Sequence, residues 1–255
     1  MNIHLVIDIN LMDIYYHSMN ISSLPHQSPF SASRPLLKTV TVAAAILYTV
    51  VWIVGLFVPV PALSVHSSHL KTWDKYAGNT TALIQALLVH GLAAILLAIV
   101  ALSTARAVAQ STDERGTSRS RWIVGSGLVS AALSLIQFVI EASLVVGILG
   151  VNKSNAHDFW LAVNRLDGIK MFALAALVAA FAGIDAKSHV NVQFLPSWIR
   201  IVNVLTAIAL ILSGIGYALM NAPLMLAAWA SLPLLLISVT ATGIVTGRHL
   251  GDHGK

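Results

Sequence analysis

His90 and Glu141 are ionisable residues set deep within long uncharged stretches, and that setting marks them for chemistry. In hydrocarbon an imidazole or a carboxyl group is costly enough to count as a functional candidate by default. His90 lies eight residues after Ala82 and Glu141 eight before Leu149. On antiparallel neighbouring helices, both would sit roughly 12 Å below the same surface at 1.5 Å per residue. A His and a Glu paired in a low-dielectric setting share a proton, as an ion pair or as two neutral groups, and each alters the other's hold on it.

Glu141 also ends a polar stripe. Ser126, Ser130, Ser134, Gln137 and Glu141 follow one another at spacings of four, four, three and four, which places all five on one helix face. Such a face turns toward protein or water rather than lipid. It either lines a proton or solute path, with Glu141 as carrier and Gln137 as hydrogen-bonding guide, or forms a close-packing seam of small polar residues. For the serines the seam is the simpler reading.

A second group of residues has metal-ligand chemistry. His66 and His69 are three apart, Asp74 follows, and His157 and Asp158 are adjacent in a later loop. Neutral imidazoles and carboxylates suit Zn²⁺, so His66, His69, His157 and Asp158 are weak metal candidates; the plainer reading is solvated loop residues. No HExxH pattern supplies a general base. In Asn164-Arg165-Leu166-Asp167-Gly168-Ile169-Lys170, Asp167 suits the first turn of a helix, where a negative charge complements the dipole, and Lys170 falls on the same face. The alternative is that Arg165, Asp167 and Lys170 recognise a charged headgroup or solute. Arg106, Arg115, Arg119 and Arg121 read first as determinants of topology and second as contacts to anionic lipid, with Asp113 and Glu114 interrupting the patch.

These residues need elements to position them, and composition says which. Of 255 residues, 57% are apolar and 10% charged, against about 25% charged in an ordinary soluble domain. Too few charges remain to cover a soluble surface, so the chain belongs in a membrane. Six apolar runs are each near the roughly 20 residues needed to cross hydrocarbon. They lie near 39–59, 82–104, 122–149, 168–183, 199–220 and 224–247, the fourth being the shortest. The expected fold is an all-α polytopic bundle of six transmembrane helices.

With the N-terminus inside, ten Lys and Arg fall on the cytoplasmic side and five on the other, which predicts a multi-pass cell-membrane protein with both termini cytoplasmic. Trp73, Trp122, Trp160 and Trp198 sit near span ends, where an indole is favoured, while Trp52 and Trp229 read as packing residues. Pro233 is the one hint of a broken helix. Residues 1–38, rich in Ser, Pro and His from Ser22 to Pro35, read as a disordered cytoplasmic tail with Met19 as an alternative start, and 248–255 as a short cytoplasmic tail.

The absence of cysteine removes thiolate metal sites, Fe–S clusters and cysteine nucleophiles. Neither a phosphate loop, a GxSxG elbow nor a Rossmann fingerprint in a suitable setting is present, and no cofactor is expected. Basic residues are scattered, so nucleic acid is not a partner; the lipid bilayer is, with a membrane-protein partner or a homo-oligomer beside it. Three activities remain. The thin intramembrane polar inventory favours a non-enzymatic sensor or partner-interacting protein over a small proton-linked transporter using His90 and Glu141, with an intramembrane enzyme third.

Overall fold

The structure is a computed structural model and describes residues 34–111, 114–183 and 195–252. The described residues are helical throughout, apart from their connections. Helix α1 (Arg34–Phe57) leads to a short α2 (His69–Tyr76), and α3 (Thr80–Ala86) runs through a π turn (Leu87–Leu92) into α4 (Ala93–Ser111). There follow α5 (Glu114–Val146), α6 (Ala156–Ala182), α7 (Ser197–Ala218), the one-turn α8 (Ala222–Met225) and α9 (Ala228–Asp252). Five helical stretches are long and apolar enough to cross a membrane: Leu36–Phe57, Thr80–Gln110, Ser118–Val146, Ser197–Ala218 and Ala222–Gly251. The sixth long helix, α6, packs on both α5 and α7 and carries Arg165, Asp167 and Lys170 within its length. The molecule is an all-α polytopic membrane bundle.

Its surface is apolar, unlike that of a water-soluble fold, and polar side chains share the interior with an apolar core that includes Tyr48, Leu177 and Phe181. Ile53, Ile136 and Ile208 are exposed, whereas Ser130, Gln137, Asn203 and Thr242 are buried. Lipid tails accept apolar side chains as readily as a core does, so polar groups are the ones driven inward. Around the bundle, α1 packs on α4, α4 on α5, α5 on α6, α6 on α7, α7 on α9, and α9 back on α1. Hydroxyl contacts tie α9 to three neighbours: Thr240 Oγ1 to Thr49 Oγ1 of α1 at 2.6 Å, Thr246 Oγ1 to Thr104 Oγ1 of α4 at 3.2 Å, and Ser238, which donates to Asn203 Oδ1 of α7 at 2.5 Å.

Several boundaries differ from those the sequence suggests. The fourth span does not open near Gly168: α6 begins at Ala156, so Asp167 stands in mid-helix and is no first-turn capping charge. Hydropathy misplaced this start because Asp158, Arg165, Asp167 and Lys170 all fall within the helix. Pro233 does not break the last span, since α9 continues through it. Proline removes a backbone donor, and here the position is still within the first two turns of the helix. Trp229 is 82% exposed at the start of α9, a span-end residue rather than a packing one. Helix α1 already includes Arg34–Lys38 and α9 extends through Asp252, so both expected tails are shorter within the described residues; the remainder of each lies outside them.

Candidate functional site

The π turn carries His90. In a π turn the backbone bonds reach one residue further than in an α-helix, and such turns are frequent at functional sites. Gly55 makes room for it: a Cβ at that position of α1 would stand 2.5 Å from Val89 Cγ2 in the turn. His90 is 7% exposed, and its Nε2 lies 3.5 Å from Glu141 Oε2 of α5. The structure thus brings together the two residues that shared a depth in the sequence.

It also brings two residues that the sequence assigned to a helix boundary. Lys170 of α6, 3% exposed, places Nζ 3.4 Å from His90 Nδ1 and 2.5 Å from Asp167 Oδ1. An ammonium has donors and no acceptor. It therefore donates to Nδ1, which leaves the imidazole proton on Nε2, facing the Glu141 carboxyl. The four side chains run in the order Asp167, Lys170, His90, Glu141.

Gln137 closes the group from below Glu141 on the same face of α5. Its Nε2 donates to Val163 O at 3.0 Å and to Asp167 Oδ1 at 3.2 Å. Both partners are acceptors, so the amide cannot be turned over. Its Oε1 is left buried with no hydrogen-bond partner among the described residues, and so is Glu141 Oε2, for which the His90 contact is close but not an aligned hydrogen bond. Two buried acceptors without donors are costly. Of the two, only the Glu141 carboxyl can answer by binding a proton.

Tyr76, at the end of α2, borders the group. Burial, with the nearby Glu141 carboxylate adding to it, pushes its phenol up to about 12, against a smaller opposing effect of its hydrogen bond with Trp160. It stays neutral and keeps its proton near neutral pH. Tyr217 of α7 stands in the field of Asp167.

The serine stripe takes a different part. Ser126 donates to Trp122 O at 2.6 Å and Ser130 to Ser126 O at 2.8 Å, both within α5. With the Ser126 and Ser130 hydroxyls turned back onto their own helix, these two and Ser134 form a buried surface against neighbouring helices. Gln137 and Glu141 are the stripe members that reach another helix's charges.

The metal candidates are not assembled. His157 is buried in contact with the loop before α2: its Nε2 lies 2.9 Å from Val65 O, its Nδ1 3.1 Å from Thr72 Oγ1, and its ring stacks on Trp160 with centroids 5.4 Å apart. A carbonyl only accepts, so Nε2 carries a proton toward Val65 O, while the Thr72 hydroxyl lies between Nδ1 and the Ser68 carbonyl, 3.0 Å away. His69 Nδ1 accepts from the His157 backbone N–H at 3.3 Å, while His66 and Asp158 are exposed. Among the described residues no group of three His, Cys, Asp or Glu side chains could hold a metal ion. Adding and then chelating Zn²⁺ is expected to leave the melting temperature of the purified protein unchanged. A Zn²⁺-dependent rise, lost in His69→Ala, would show that the loops rearrange into a metal site.

Compared with known protein families, with curated proteins and with solved structures, the chain matches none.

Proposed function

We propose that this chain is a proton-linked membrane carrier, with the His90–Glu141–Lys170–Asp167 group as its proton-binding centre. The observation that carries this reading is the placement of His90 on a π turn, between Lys170 of α6 and Glu141 of α5. Four ionisable side chains from three separate helical segments form far more intramembrane polarity than helix packing needs. With His90 neutral, two carboxylates face one ammonium, an excess of one negative charge that a single proton cancels. The Glu141 carboxyl, whose Oε2 has no aligned hydrogen-bond partner among the described residues, is the group placed to receive it. The groups facing this proton are Tyr76 from α2, His90 from the π turn, Glu141 from α5, Asp167 and Lys170 from α6, and Tyr217 from α7.

The starting part of α1 and the end of α9 lie side by side, because Gly251 abuts the Lys38 side chain. The greater number of Lys and Arg at that end supports a cytoplasmic position for both chain ends in the cell membrane.

Proton entry into proteoliposomes holding an internal pH dye is the test. After an external acid step, wild type should acidify the lumen and Glu141→Gln should not, while both melt at similar temperatures because glutamine keeps the shape and a polar head. Equal acidification by the two proteins would remove Glu141 from the proton path. A proton-dependent change in tryptophan fluorescence with no flux would instead identify a pH sensor.

A further inference from the structure

A cleft of about 300 Å³ opens between α5 and α6 away from the proton-binding group, lined by Ser118, Arg119, Trp122, Ala176 and Ala180. Its walls are one ridge from each helix. Ser118 and Trp122 are four apart on α5, and Ala176 and Ala180 are four apart on α6, where methyl side chains leave the groove unfilled. Ser118 also begins the apolar span of α5, and Ala180 lies one turn or less from the end of α6. The cleft is therefore at the level where hydrocarbon meets headgroups. Trp122, 67% exposed, fits that level, since an indole ring is favoured at the membrane–water boundary.

Arg119 supplies the charge. Its guanidinium rests on Gly183, where a Cβ would come within 3.2 Å of Nε and Nη2. The negative end of the α6 dipole accounts for a cation near this point. Among the described residues, however, Arg119 has no ion-pair or side-chain hydrogen-bond partner, and the Ala182 carbonyl is already met by Arg200 Nε at 3.2 Å. A half-buried guanidinium with no side-chain partner among the described residues, beside a hydroxyl, an interfacial indole and a groove floored by two alanines, has the chemistry of a phospholipid site. The charge and the N–H fork suit a phosphate, and the alanine-floored groove suits an acyl chain.

We propose that this cleft binds an anionic phospholipid, its phosphate on Arg119 and Ser118 and one acyl chain along Ala176 and Ala180. Native mass spectrometry of the full chain in detergent, offered equal phosphatidylglycerol and phosphatidylcholine, tests it. Wild type should retain phosphatidylglycerol preferentially. Arg119→Gln should lower that preference about fivefold, the factor one basic residue near a membrane surface contributes. Ala180→Phe, which fills the groove and keeps the guanidinium, should reduce lipid retention as well, and provides the test should Arg119→Gln fail to fold. Arg248→Gln, an exposed basic change on α9, should leave the preference intact. Unchanged preference in both cleft variants would overturn the proposal. So would displacement of phosphatidylglycerol by inorganic phosphate, which would mark a site for a soluble anion.

Discussion

Methionine in place of Lys170 is expected to destabilise the bundle by about 3–5 kcal/mol, the range for removing one partner of a buried ion pair. The size follows from what remains. Asp167 would lose the ammonium 2.5 Å from Oδ1 and His90 would lose the donor to Nδ1, while the Asp167 and Glu141 carboxylates would face each other's charge without compensation. Chemical unfolding in mild detergent measures this. The control lies in the pair: Lys170→Met with Asp167→Asn removes one charge of each sign, and most of the lost stability should return. If the single Lys170→Met substitution melts like wild type, Lys170 is not buried among these charges. If the double variant is no better than the single, the ammonium matters for something other than balancing Asp167.

The second large effect is expected at Gly168, next to the same ion pair. A Cβ there would stand 2.5 Å from Ala218 N and 2.8 Å from Gly214 O, and both are backbone atoms of α7 that cannot swing aside. A Cβ on Gly214 would in turn stand 3.0 Å from Gly168 O, so the two helices approach through paired glycines. Gly168→Val should force α6 from α7 and cost about 1–3 kcal/mol or more, as overpacking does. Because Asp167 and Lys170 flank this contact, the same substitution should also diminish proton entry. Gly125→Ala is the comparison, since a Cβ at Gly125 meets nothing within 4 Å, and it should be nearly silent. A Gly168→Val protein as stable as wild type would mean that α6 and α7 do not approach this closely.

Both predictions rest on α6, the helix least legible in the sequence. Its charges made it read as a loop followed by a short span, because hydropathy scores Lys170 and Asp167 as boundary residues whether they face water or each other. Their burial depends on a partner three residues away and a second one across the bundle, His90, which no local count can supply. The serines show the converse. Their spacing placed them on a common face, and the i−4 bonds of Ser126 and Ser130 follow from helix geometry alone. The outer histidines were ambiguous for a third reason: His157 is equally fit for a metal or for a carbonyl and a hydroxyl, and only the neighbours Val65 and Thr72 decide between them.

By itself, the order of residues determined that this chain is a helical membrane bundle, because each apolar stretch must satisfy its own backbone hydrogen bonds in lipid, and a helix does so within the segment. It also determined the equal depth of His90 and Glu141, since depth along a helix is a matter of counting residues. The tertiary structure decided that Lys170, Asp167 and Gln137 join them, and that His90 rides on a π turn. Those facts arise from which helices lie side by side and how they are rotated, and that is settled by close contacts such as Gly168 on Gly214, made between residues far apart in the chain.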